Sequence, residues 1–92
     1  MFLLDQTCGA CPEQYDVYLD DKQVGYFRLR WGTFRASYPD CGGETVYVAE
    51  LNHDLQGCFS SEDEREEHLL KACKALASKL DLGERTVSYE IN

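Results

Sequence analysis

The stretch 24–38, which reads VGYFRLRWGTFRASY, decides the fold. Apolar and polar side chains alternate on both sides of Trp31-Gly32, which is the pattern of two β-strands joined by a two-residue turn. A turn at this position aligns four cross-strand pairs: Arg30 with Thr33, Leu29 with Phe34, Arg28 with Arg35, and Phe27 with Ala36. The apolar pairs then share one face of the hairpin, and a helix must cover that face to exclude water.

Further strands flank this hairpin. Segments 15–19 and 45–51 alternate in the same way, and turn-forming residues separate them from the hairpin. We therefore predict an antiparallel meander over 14–51. The preceding segment, 1–13, is interpreted as an irregular lead-in that contains two cysteines, with a short strand at Phe2-Leu3-Leu4 as an open alternative.

A single amphipathic helix follows the meander. Ser61 stands three residues before Glu64, which is the spacing of a capping box at a helix N-terminus. The apolar residues beyond it recur at helical spacing: Leu69, Leu70, Cys73, Leu76, Ala77 and Leu80. We predict a helix over 61–81 and a last strand over 85–91. The whole chain, 1–92, is then one α+β domain, an antiparallel sheet of four to five strands in the order β-β-β-β-α-β, with the helix packed on one face.

The other face of the predicted hairpin carries a cluster of basic residues: Arg28, Arg30 and Arg35. Arg28 and Arg35 are direct cross-strand partners, a like-charge pairing that lowers stability unless an anion compensates it. A three-residue loop at 21–23 would set Asp16 opposite Arg28 and supply one carboxylate. Two interpretations stay open: an internal lattice of salt bridges with Asp16 and Glu50, or docking of an acidic or phosphate-bearing partner on the arginines.

Four of the five cysteines are candidate metal ligands. Cys8 and Cys11 have the C-x2-C spacing with which two thiolates bind one tetrahedral ion, and Cys41 precedes two glycines that let the backbone turn around a metal. The fourth ligand is Cys58 or His53. We predict a structural zinc ion that ties the lead-in to the sheet, against the alternative of free thiols.

Catalysis is not expected. Redox use of the C-x2-C pair requires it at a helix start, whereas Pro12 and an antiparallel strand follow it here. A nucleophilic pair of Cys58 and His53 has no evident orienting partner or oxyanion site. Cys73 falls within the apolar stripe and is interpreted as a small buried hydrophobe, and His68 is expected in solvent or at the core edge. We therefore predict that the chain is not an enzyme.

Negative charge is concentrated in two clusters. The first lies at the predicted helix start and comprises Glu62, Asp63, Glu64, Glu66 and Glu67. The second includes Asp20 and Asp21 in the turn after the first strand of the meander. Capping and solubility account for either cluster alone. Together they can also imitate a phosphate path and occupy a basic groove that binds nucleic acid, with an exposed Trp31 as aromatic anchor.

Charge and composition exclude other classes. The 92 residues carry 17 acidic and 9 basic side chains, a formal net charge of −8, and such a chain repels a nucleic-acid backbone. No apolar run reaches the roughly 20 residues of a membrane span, and residues 1–5 do not resemble the start of a signal peptide. We expect a cytoplasmic protein that binds neither nucleic acid nor membrane directly. The sequence leaves its oligomeric state open.

In length, acidity, strand-rich meander and single amphipathic helix, the chain resembles small proteins of phages and other mobile elements, anti-CRISPR inhibitors of RNA-guided nucleases among them. This resemblance implies a stoichiometric inhibitor that acts without turnover in an infected bacterial host, sometimes as a nucleic-acid mimic; it carries over no functional residue. The expected partner is a basic nucleic-acid-handling protein. The alternatives are a zinc-stabilised adaptor or regulator domain, a cysteine redox protein, and a ligand-binding regulator that uses the arginine face.

Overall fold

The computed structural model describes residues 1–7, 13–51, 58–82 and 87–92. Within these ranges the chain forms six strands and one helix: β1 Phe2–Gln6, β2 Glu13–Leu19, β3 Lys22–Arg30, β4 Thr33–Tyr38, β5 Glu44–Glu50, α1 Glu62–Lys79 and β6 Tyr89–Ile91. The strands build one sheet in the order β5-β4-β3-β2-β1-β6. Because α1 packs on one face of the sheet, the other face is called the open face below. The predicted α+β class, with one helix packed on one face of a sheet, is confirmed.

The N-terminal segment is more regular than predicted. Phe2–Gln6 is a strand, and it lies inside the sheet between β2 and β6. It pairs antiparallel with β2 and parallel with β6, so the sheet has six strands rather than four to five and is not wholly antiparallel. The apolar residues 2–4 are consecutive, which hides the two-residue alternation that identifies a half-buried strand.

The central hairpin has the predicted register. All four expected pairs form between β3 and β4, including the like-charge pair of Arg28 and Arg35. Trp31 and Gly32 have φ angles of 55° and 75°, and positive values at both central residues are what a type I′ turn requires. The turn therefore fixes which side chains of the hairpin face α1.

The register between β2 and β3 differs from the prediction. The chain turns tightly at Asp20-Asp21, both with positive φ, so that Leu19 pairs with Lys22. A β-bulge between Val17 and Tyr18 then changes the register by one residue. The register consequently places Asp16 opposite Tyr26, and the predicted pairing of Asp16 with Arg28 is wrong.

The core lies between α1 and the sheet. The buried residues of the helix are Leu69, Ala72, Cys73, Leu76 and Ala77, close to the predicted stripe. Leu70 and Leu80 are only half-buried. Gly25 in β3 makes room for the helix, because a Cβ atom there would lie 2.8 Å from Leu76 Cδ1. No helix among the described residues has both the length and the apolar character needed to cross a membrane.

Candidate functional site

The acidic helix start is held by a capping arrangement. Ser61 is the N-cap, and its Oγ accepts a hydrogen bond from Glu64 N at 3.1 Å. Glu64 Oε1 in turn accepts a hydrogen bond from Ser60 N at 2.9 Å. These bonds satisfy backbone donors that the first helical turn leaves without intrahelical partners. Glu64, which is also predicted as a partner-binding residue, thus takes part in capping the helix.

Four exposed carboxylates beside this cap form the acidic quartet: Glu62, Asp63, Glu66 and Glu67. Glu62 and Glu66 are four positions apart on α1, and so are Asp63 and Glu67. Residues at this spacing are neighbours about 5–6 Å apart on a helix surface. The quartet thus consists of two adjacent like-charge pairs on one side of the first two turns.

Two members of the quartet are partly neutralised. Glu62 forms an ion pair with a neighbouring arginine, and Lys71 Nζ donates a hydrogen bond to Glu67 Oε2 at 2.9 Å. The hydrogen bond and the charge of Lys71 lower the pKa of Glu67. Asp63 and Glu66 have no hydrogen bond or ion pair with the residues that the structure describes. Their charge is therefore presented to solvent.

A buried carboxylate on β2 fixes the helix start to the sheet. Arg65 donates to both oxygens of Glu13, from Nε at 3.1 Å and from Nη2 at 2.8 Å. Tyr15 Oη and Phe59 N donate to the same carboxylate at 2.9 and 3.2 Å. Burial acts to raise the pKa of Glu13, but the hydrogen bonds and the charge of Arg65 prevail and lower it. Sequence reasoning missed this network because no local pattern links residues 52 positions apart.

The arginine cluster of Arg28, Arg30 and Arg35 lies on the open face. Arg35 Nη1 donates to Thr45 Oγ1 at 3.1 Å, and the guanidinium of Arg28 lies 6.0 Å from the centre of the Tyr26 ring. Within the described ranges, none of the three arginines forms an ion pair with a carboxylate. The cross-strand pair of Arg28 and Arg35 is therefore not compensated by these residues.

The predicted lattice of salt bridges does not form around the arginines. Asp16 faces Tyr26 and accepts a hydrogen bond from Gln23 Nε2 at 3.3 Å. Glu50 lies at the edge of the sheet opposite Thr33. The physical reason is the tight β2–β3 turn. It sets Gln14 opposite Arg28, so that Asp16 lies two residues further along β2.

Trp31 lies with the arginine cluster and not with the acidic quartet. The residue is 64% exposed, and the Arg30 guanidinium lies 5.6 Å from the centre of its ring. A shallow depression on the open face is lined by Arg28, Arg30, Trp31, Thr33 and Arg35. The acidic quartet lies at the same end of the molecule but on the helix side. A partner that contacts both Trp31 and the quartet must therefore extend around that end.

Asp20 and Asp21 lie at the other end of the sheet. The C-terminal end of α1 reaches that end, because Lys79 pairs with Glu44. At 1.5 Å per residue, the 18 residues of α1 span about 27 Å. The two acidic clusters, which are predicted to imitate one phosphate path, are thus separated by the length of the helix. Positive φ at both residues also explains why aspartates occur in this turn.

The cysteines predicted as zinc ligands are only partly described. Cys8, Cys11 and His53 lie outside the described residues. Cys58 lies beside Glu13 and the helix start, whereas Cys41 lines a depression on the open face near the opposite end of the sheet. Consequently the fold does not bring Cys41 and Cys58 together.

Cys58 is disulfide-bonded. A sulfur atom in that state is not a thiolate ligand, so zinc at Cys58 requires the reduced protein. The described residues contain no group of three or more His, Cys, Asp or Glu side chains that could hold a metal ion. The zinc site stays a prediction.

Two further side chains lie where the sequence placed them. Cys73 is fully buried, and burial raises the pKa of its thiol to about 12, so it behaves as a small hydrophobe. His68 lies at the core edge, where Nδ1 is 2.9 Å from Tyr47 Oη and the ring stacks on Phe59. Both side chains are thus parts of the packing.

No protein-family model, curated protein or solved structure matches the chain. The charged surfaces described above are therefore the basis for assigning a function.

Proposed function

We propose that this chain is a non-enzymatic, acidic binding protein that occupies a basic, nucleic-acid-binding surface of its partner. The acidic quartet is the observation that carries the proposal. Like-charge pairs at i,i+4 destabilise a helix by roughly 0.2–0.5 kcal/mol each. The helix dipole favours Glu62 and Asp63 in the first turn, but Glu66 and Glu67 lie beyond that turn, and Ser61 and Glu64 already cap α1. Binding to a positively charged partner gives the quartet a role that capping does not.

The net charge of −8 supports the same mechanism. A negative field accelerates encounter with a basic surface, and salt screens that acceleration. The partner is a nucleic-acid-handling protein in the cytoplasm of a bacterial host, such as an RNA-guided nuclease, whose channel for the heteroduplex is positively charged. The protein would inhibit by occupancy, in a complex that nucleic acid competes with.

The quartet is tested with two variants that remove the same charge. Asp63→Asn with Glu66→Gln neutralises the two unpaired carboxylates of the quartet, and Asp20→Asn with Asp21→Asn neutralises two at the far end. With a guide-loaded RNA-guided nuclease as the partner, we expect the first variant to associate about 5-fold more slowly than the second at low salt. Stopped-flow association over a salt series measures this difference, which high salt should abolish.

Equal effects of the two variants would show that only net charge matters and would remove the quartet from the interface. Competition with target DNA tests occupancy separately. If the nuclease binds this protein and DNA simultaneously with independent affinities, mimicry of nucleic acid is excluded.

Trp31 gives a second test, because its backbone conformation is unfavourable for its side chain. A bulky residue at positive φ costs about 1 kcal/mol relative to residues that tolerate this conformation, and Asn is favoured at this turn position. We expect Trp31→Asn to raise the free energy of unfolding by about 1 kcal/mol and to raise the dissociation rate of the complex about 10-fold. Denaturant unfolding and surface-based kinetics measure the two effects.

Trp31→Phe is the matched control, since it keeps an aromatic ring in the same strained turn. It should leave stability nearly unchanged and retain most of the binding. A stabilised Trp31→Asn protein that dissociates at the wild-type rate would show that Trp31 is not an anchor.

A further inference from the structure

The open face is divided by charge into two halves. The half formed by β3, β4 and β5 carries Arg28, Arg30 and Arg35, with Glu50 at its edge as the exception. The half formed by β2, β1 and β6 carries Asp16, Asp5 and Glu90. Cross-strand partners share a face of a sheet, so these side chains all lie on the open face.

Each half contains one like-charge pair in direct register: Arg28 with Arg35, and Asp5 with Asp16. Like charges directly opposite each other destabilise a sheet. The arginines have no ion pair among the described residues, and Asp5 and Glu90 likewise have none. Within the part of the chain that the structure describes, the face thus holds two like-charge pairs of opposite sign with no ion-pair partner, separated across the middle of the sheet; Asp16 accepts only the hydrogen bond from Gln23.

We propose that a second copy of this chain docks on the open face and forms a two-fold symmetric, face-to-face dimer. The strand order places three strands on each side of the line between β2 and β3. A two-fold axis along this line sets β3 of one copy over β2 of the other, β4 over β1, and β5 over β6. The basic half of each copy then covers the acidic half of the other, and both like-charge pairs are compensated twice.

The distances along the strands fit this arrangement. Gln14 lies opposite Arg28, and Asp16 lies two residues further along β2. This offset is about 6.6 Å at 3.3 Å per residue, which an arginine side chain can span between sheets packed about 10 Å apart. Leu3 and Val48, 38% and 50% exposed, add apolar contact in opposite halves of the same face.

The size of the face sets the strength of the dimer. Six strands spaced about 4.8 Å apart and five residues long cover a flat area of about 500 Å² per copy, which is at the low end for a specific interface. The dimer is therefore weak and sensitive to salt. Because α1 lies on the other face, each dimer presents two acidic quartets outward.

Charge-reversal variants test the dimer. In Arg28→Glu with Arg35→Glu, both halves of the face are acidic, and in Asp5→Lys with Asp16→Lys both are basic. Juxtaposed like charges cost several kcal/mol, so we expect the self-association of each variant to weaken about 100-fold. An equimolar mixture of the two should restore a heterodimer, since residues 5, 16, 28 and 35 are all acidic in one variant and all basic in the other. Analytical ultracentrifugation over a concentration and salt series measures all three samples.

Several outcomes would overturn the dimer. One is a wild-type protein that stays monomeric at every attainable concentration in low salt, and another is a mixture of folded variants that does not associate. Binding of inorganic phosphate to a wild-type monomer would instead assign the arginines to a small anion. Lys71→Glu with Lys74→Glu on α1 changes the net charge as the arginine variant does and should leave the dimer nearly intact.

Neutral variants keep the test informative if a reversal impairs folding. Arg35→Gln and Asp16→Asn each relieve repulsion within the monomer and remove an attraction between copies. We therefore expect both to raise monomer stability while weakening the dimer severalfold. If these side chains had only a structural role, the variants would change monomer stability and leave self-association unchanged. That result would contradict the proposal.

Discussion

Glu13→Gln is expected to lower the free energy of unfolding by about 3 kcal/mol, because it removes one partner of a buried ion pair. Arg65 is left without its bidentate acceptor, and the side chain of Arg65 is only 22% exposed, so water replaces the carboxylate incompletely. The Tyr15 hydroxyl and the Phe59 amide also lose a charged acceptor. Equilibrium denaturation measures the change. Glu66→Gln is the control on the exposed side of α1 and should stay within about 0.5 kcal/mol of wild type.

The Glu13 carboxylate also predicts the response to acid. Its pKa is lowered in the folded protein, so the stability that it contributes is fully present above its ordinary value of 4.5. That contribution is lost as the pH falls through the lowered folded-state value. Wild type should therefore lose stability in this acidic window more steeply than Glu13→Gln. Parallel curves of unfolding free energy against pH would show that Glu13 does not stabilise the fold through its charge.

Phe34→Ala is expected to destabilise the protein by about 4 kcal/mol, since it deletes a fully buried ring and leaves a cavity. Phe34 lies at the centre of an aromatic cluster, with the Phe59 ring at 5.3 Å, the Phe27 ring at 5.9 Å and the Tyr47 ring at 6.0 Å between centroids. These contacts join β3, β4 and β5 to the segment before α1. Phe34→Leu keeps most of the volume and should cost about 1.5 kcal/mol.

Thermal and chemical unfolding of the two Phe34 variants provides the comparison. An alanine variant as stable as the leucine variant would mean that the cluster collapses to fill the space. The aromatic contacts would then contribute less to the fold than their geometry indicates.

The parts of the fold that depend on local signals were predictable from the sequence. The 24–38 hairpin was predictable because a single turn fixes its whole register. The start of α1 was predictable because Ser61 and Glu64 form a local capping pattern. The register of β2 on β3 was not predictable, because residues 20–23 allow turns of different length and a β-bulge changes the register again. A bulge is selected by packing across the sheet, which a one-dimensional pattern does not record.

The charged surfaces were predictable in part for the same reason. Positions along α1 place the quartet on one side of the helix, so the sequence alone identifies it. Its distance from Asp20 depends on how the helix lies on the sheet, which the sequence pattern does not record. The division of the open face by charge involves β1 and β6, whose pairing joins residues far apart in the sequence. Tertiary arrangement therefore determines which charges can act together.

The pairing of β1 with β6 has a consequence for the order of folding. Every other pair of neighbouring strands in the sheet is consecutive in the chain, so each forms by closing a short loop. The β1–β6 pair closes a loop that contains the whole meander and α1, and this costs more chain entropy before any contact compensates it. With only three residues in β6, little binding energy offsets that cost. Assembly should therefore begin within the meander and finish at β6, the strand that also detaches most readily from the native sheet.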